Sequence, residues 1–216
     1  MSIARWIRLG SIEFLDLRAT CLGLAETDAA AAHPVVLWGR ASDSLCLGPA
    51  DALTWVEPGR CVYAILAPVR FAPRCARRLS WGLAPALATY RQFGVHAYLD
   101  GDAICLRGRP VAESSIWTIG EWVVIASSFP DRCGRAARAP AGRERPSFRA
   151  WLRGGAALAR SEWADLDEMP AERELEEMLR LRIEAQHGWK FEHSWPDAQE
   201  CGAIERMRSA LEPLVA

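Results

Sequence analysis

Lysine is almost missing from this chain. Of 216 residues 26 are basic, and all of those except Lys190 are arginine. Chemistry that needs a compact ammonium, able to shift its pKa or act as a point charge, therefore has one candidate. An excess of either charge is missing too. With 26 basic against 27 acidic residues the net charge is -1, too little field for phosphate-backbone binding, so nucleic acid is excluded as a partner. No apolar run approaches the roughly 20 residues that cross a bilayer. Met1 to Gly10, broken by Arg5 and Arg8, lacks the apolar core of a signal peptide. The expectation is a cytoplasmic protein without membrane association. The seven cysteines (21, 46, 61, 75, 105, 133 and 201) form no Cys-x-x-Cys pair and no Cys-His cluster. They read as reduced thiols, mostly small core fillers, with no metal centre. There is no internal repeat and no heptad pattern.

What is present is ordinary for a chain that buries a core: 50% apolar and 25% charged residues, which predicts one globular domain over residues 1–216. Ser11 to Ala32 reads as a helix. Val35 to Trp38 and Ser44 to Leu47 read as two paired strands around a turn, and Cys61 to Ala67, bounded by Pro58-Gly59 and Pro68, as a strand buried on both faces. Leu79, Leu83, Leu87 and Tyr90 recur at helical spacing, predicting a helix over Cys75 to Gln92 that stops at Gly94. Gly82 and Pro85 within it predict a kink or two short helices.

Asp100-Gly101-Asp102 predicts a hairpin between Val95 to Leu99 and Ala103 to Leu106, and Gly120 another between Val111 to Trp117 and Trp122 to Ser127. These four strands should build one sheet, with Trp117 and Trp122 facing each other across the turn. Arg132 to Arg153 reads as a loop or flap inside the domain. Pro170 opens a helix with Leu175, Met178, Leu179 and Ile183 as its buried stripe, its glutamates early and Arg180 and Arg182 later, as the helix dipole favours. Gly188 ends it. A strand Trp189 to His193 and a helix from Asp197 with Ile204, Met207 and Leu211 on one side close the chain. The class is α/β, with a mixed, largely antiparallel sheet flanked by helices.

The order of elements and several strings resemble the catalytic domain of lipoate protein ligases and their biotin ligase and octanoyltransferase relatives. The strings are VVLWGRASDSLCLGP (Val35 to Pro49), FGVHAYLDGDAICLRGRPVAESS (Phe93 to Ser115) and EEMLRLRIEAQHGWKFEHSWPDAQECGAIERMRSAL (Glu176 to Leu211). The resemblance spans nearly the whole chain. It implies a site that takes an acyl or lipoyl-type small molecule, with Gly108, Arg109, Ala112 and Ser114 as ligand-binding candidates. Acyl adenylate formation needs fixed donors and a cation at the charge between carboxylate and α-phosphate. In lipoate ligases that cation is a lysine within a Gly-Arg-Lys string. This chain carries Gly108-Arg109-Pro110-Val111-Ala112-Glu113-Ser114, and proline offers neither charge nor N–H. The Arg-Arg-x-Ser/Thr-Gly-Gly string that precedes the Cys61 strand in those ligases is absent as well. Arg77-Arg78-Leu79-Ser80-Trp81-Gly82 echoes it, but after the strand and on a helical pattern.

The expectation is therefore a ligase-like protein without ATP-dependent ligation, binding or accessory in role and needing no cofactor. The alternative is an acyl or cofactor transferase with a rearranged site. There Cys133, beside Arg132, would be the catalytic nucleophile, as octanoyltransferases use a cysteine. A third reading has another cation, Arg109, replacing the lysine. Lys190 lies on another strand, between Trp189 and Phe191. Ten tryptophans read as core and cross-strand pairs, or as an aromatic groove for an acyl chain or partner. Arginines 132, 135, 138, 143, 145, 149 and 153 read as a self-compensated surface facing the acidic Glu162 to Glu177 stretch, or as a dock for an acidic protein partner.

Overall fold

The computed structural model describes residues 2–13, 15–27, 33–43, 45–48, 54–106, 108–129 and 170–212. The chain starts with a strand, Ser2–Ile12 (β1), where the sequence suggested none. Its Ala4 and Trp6 side chains are buried on one face of the sheet and Ile7 and Ile12 on the other. The expected helix from Ser11 is thus corrected. It forms over Asp16–Thr27 (α1), where the Asp16 carboxylate accepts from the Glu13 N–H at 2.7 Å. The arginines of β1 masked its strand character, because their charge is neutralised by glutamates far away in sequence. Arg5 pairs with Glu200 and Arg8 with Glu176.

Val35–Ala41 (β2) is followed by two short strands, Leu45–Leu47 (β3) and Thr54–Val56 (β4). The expected pairing of β2 with the Leu45 strand does not occur. Both edges of β2 are taken, one by β1 and the other by Cys61–Pro68 (β5), so β3 pairs instead with β4 in a separate two-stranded sheet. All eight residues of β5 are buried, as its uninterrupted apolar run implies.

Cys75–Gln92 (α2) follows as one element, so of the two expectations, a kink or two short helices, the second is not realised. Its interrupting residues are buried ones. A Cβ on Gly82 would meet Ile125 Cδ1 at 2.5 Å, so glycine permits a close approach of helix to sheet, and Pro85 is also buried. Then come Tyr98–Asp100 (β6), shorter than expected, Ala103–Leu106 (β7), Arg109–Ile119 (β8) and Trp122–Phe129 (β9). They are consecutive neighbours in one sheet, as the turn signals indicated.

Trp117 and Trp122 are not opposite each other. The turn at Gly120 closes on Ile119 and Trp122, so Trp117 faces Val124. Glu172–His187 (α3), Trp189–His193 (β10) and Ala198–Leu211 (α4) complete the fold. On α3 the buried positions are Leu175, Glu176, Leu179 and Ile183. Met178 is only half-buried, and Glu176 is buried because its carboxylate accepts from the Trp6 indole N–H at 2.8 Å and from Arg8.

The main sheet runs β10-β1-β2-β5-β9-β8-β7-β6. β1 lies parallel to both its neighbours and every other pairing is antiparallel. Helices α2 and α3 cover one face, over a core that includes Trp6, Trp38, Tyr63, Ile125 and Phe129. Helices α1 and α4 cover the other, over Ile7, Leu37, Ala64, Trp122 and Val124. No helix among the described residues is long and apolar enough to cross a membrane.

Candidate functional site

The candidate residues from the sequence that fall within the described chain all lie on β8 or the turn before it, and one rigid strand cannot bring them to one point. Gly108 stands in the β7–β8 turn with φ +78°, a conformation that favours glycine. Arg109 opens β8 opposite Leu106. Ala112 and Ser114 are interior, 1% and 2% exposed. At a rise of about 3.3 Å per residue, Gly108 and Ser114 are roughly 20 Å apart. Ser114 therefore belongs to a different environment from the turn. Cys133 and the arginines from 132 to 153 lie outside the described residues.

Ser114 opens onto a buried polar cluster that the sequence did not single out. Its hydroxyl is 2.9 Å from that of Ser127, directly opposite on β9. Tyr63 on β5 is the next residue across, paired with Ser127, and its hydroxyl lies beside Ser127 without forming a well-directed hydrogen bond. Trp38, Tyr63 and Tyr90 surround Phe129 at ring-centroid distances of 6.2, 5.8 and 5.2 Å. Among the described residues the Trp38 indole N–H has no hydrogen-bond partner. Such an orphaned buried donor asks for an acceptor. Burial pushes both phenols far above their ordinary pKa, with the neighbouring Tyr90 adding to the effect on Tyr63 and Arg60 opposing it at Tyr90. Both remain neutral hydroxyl donors at any working pH.

A positive group beside this cluster is Arg60, just before β5, which bears on the Tyr90 phenol and reaches Ser128. Its side chain is 12% exposed. The guanidinium donates to the Val111 carbonyl at 3.0 Å, reaches Ser128 Oγ at 3.5 Å, and stands 3.7 Å from Glu57. Arg60 thus lies against the backbone one residue beyond Pro110, with Nη1 engaged by Val111 and Ser128 and its charge partly balanced by Glu57. Its hydrogen-bond partners are 51 and 68 residues away, so Pro58-Gly59-Arg60 reads in the sequence only as a turn. Lys190 is exposed on β10, at the far edge of the sheet. Five strand spacings of about 4.8 Å put it roughly 24 Å from β8.

Chemically, the cluster can hydrogen-bond an acceptor such as a carbonyl or carboxylate. Among the described side chains, the cation beside it is Arg60, already engaged by the Val111 carbonyl and Glu57, while the side chain of Arg109 lies outside the described ones. Cys21 and Cys61 are buried core residues, and burial pushes the Cys21 thiol far above its usual pKa, leaving it inert. Cys75 and Cys201 are exposed. Among the described residues no group of three or more His, Cys, Asp or Glu side chains gathers as a metal site.

No protein-family model matches this chain, and no curated protein sequence matches it. Solved structures do. The bi-partite lipoate protein ligase of Thermoplasma acidophilum, described with its E2 lipoyl domain, superposes with a TM-score of 0.71 at 8% identity, covering 97% of this chain and 93% of that one. A lipoate-protein ligase A bound with ATP gives 0.70 at 9% identity, covering 96% and 94%. The biotin protein ligase of Aquifex aeolicus, in complex with biotin and ATP, gives 0.55 at 11% identity, covering 85% and 70%. The fold is that of lipoate and biotin protein ligase catalytic domains, as the strings in the sequence suggested.

Proposed function

We propose that this protein binds an acyl or lipoyl-type carboxylic acid without activating it through ATP, and acts as a binding or accessory component. The observation that carries the reading is Pro110. By the resemblance it stands where the lysine of a lipoate ligase would, while the one lysine of the chain is exposed roughly five strand spacings away. Arg60 is the neighbouring cation, but the Val111 carbonyl and Glu57 already engage it. The neutral donors around Phe129 and the orphaned indole of Trp38 suit a carbonyl or carboxylate better than a triphosphate. That a lipoate ligase of similar fold is bi-partite supports a partner chain for this one.

The test is direct. Purified protein is incubated with ATP, magnesium and lipoate, octanoate or biotin, and the products are read by mass spectrometry. The acids alone are titrated by calorimetry. The expected result is no acyl adenylate and measurable binding of at least one acid, weakened by Tyr63→Phe. Adenylate formation overturns the reading, and an octanoyl adduct lost in Cys133→Ala replaces it with acyl transfer.

A further inference from the structure

Strand β10 is at one edge of the main sheet, and among the described residues no strand pairs with its outer side. Exposed edges template pairing with another chain, and proteins commonly blunt them with charge or proline. Here the sequence is Trp189-Lys190-Phe191-Glu192-His193, with opposite charges flanking the central residue at equal distance. We propose that β10 pairs antiparallel with β10 of a second copy about a two-fold axis at Phe191, forming a weak homodimer with a continuous sheet.

Backbone geometry supports that centre. The Ser2 N–H donates to the Gly188 carbonyl, and the Ser194 N–H to the Trp6 carbonyl. By the period of two, the even-numbered backbone groups of this strand face β1, so those of Trp189, Phe191 and His193 face outward. A two-fold axis at Phe191 satisfies every one of them. Phe191 exchanges both bonds with its symmetry mate, and Trp189 exchanges bonds with His193 of the other copy.

Charge selects the same arrangement. Lys190 and Glu192 are exposed and form no ion pair among the described residues. In the antiparallel register each lies directly opposite the other across the axis, making two cross-strand pairs. A parallel, in-register pairing would set lysine against lysine and glutamate against glutamate. The antiparallel dimer also carries Trp195, 75% exposed just beyond the strand, towards the start of β10 in the other copy. A five-residue edge is a small interface, so the contact is weak and concentration-dependent.

Sedimentation velocity over a series reaching high micromolar concentration tests this. The expected result is a reversible dimer for the wild type. Lys190→Glu and Glu192→Lys should each weaken it about tenfold or more by opposing like charges, and the double exchange should restore it. Circular dichroism of the single variants checks that the monomer still folds. A wild type that stays monomeric throughout, or single variants that dimerise as the wild type does, overturns the proposal. So does a double exchange that stays as weak as the singles, since pairing in this register must be restored by it.

Discussion

The guanidinium of Arg60 donates to the carbonyl of Val111, one residue beyond Pro110, at 3.0 Å. This bond ties the turn before β5 to the start of β8 past the end of β9. Arg60→Ala should leave a buried carbonyl unpaired and cost about 1–3 kcal/mol. Arg60→Lys should recover only part, because an ammonium cannot reproduce the guanidinium fork. Urea denaturation of the two variants measures it, and a loss under about 0.5 kcal/mol would mean the bond contributes little.

Gly82 is where α2 rests on β9, with Ile125 Cδ1 only 2.5 Å from the point an alanine methyl would occupy. Although alanine is the better helix former, Gly82→Ala should destabilise by about 1–3 kcal/mol through overpacking. Adding Ile125→Val should recover part of the loss, which a double-mutant cycle in thermal unfolding would detect.

His187 is held between two indoles, stacked on Trp81 at 4.3 Å and 4.8 Å from Trp189. Burial lowers its pKa from 6.5 to about 4, against a smaller raising effect of the Gln186 backbone. A histidine lowered on folding leaves the unfolded chain binding the extra proton. Stability is therefore unaffected above pH 6.5 and falls as pH drops from there towards 4. His187→Phe should keep the stacking and flatten the melting-temperature profile across that window. An unchanged slope would mean that the imidazole protonates as readily in the folded state.

Glu200 accepts from Arg5 with both carboxylate oxygens and caps α4 through its own N–H and that of Asp197. The hydrogen bond from Arg5 is the main cause holding its carboxyl below the ordinary 4.5. A depressed carboxyl adds stability that is complete above its unfolded pKa and lost as pH falls through the folded one. Glu200→Gln should therefore reduce stability at pH 7 and make the acid limb below 4.5 shallower, distinct from the window of His187. Equilibrium unfolding at a series of pH values separates the two.

Elements whose signals are local could be read from the residues alone. The apolar run of β5, the Asp-Gly and Gly120 hairpins and the glycine stops at 94 and 188 depend on neighbouring residues alone, and the absence of lysine from β8 is a matter of composition. The rest depended on contacts between distant parts of the fold. β1 is a strand because glutamates 195 and 168 residues away neutralise its arginines. β3 left β2 because both edges of β2 were occupied. The polar cluster around Phe129 draws single residues from β2, β5, α2, β8 and β9, and no local pattern marks a side chain whose partners lie on other elements. A pairing that depends on long-range contacts leaves no trace in the spacing of adjacent residues, which is why the chain spelled out its strands more readily than its site.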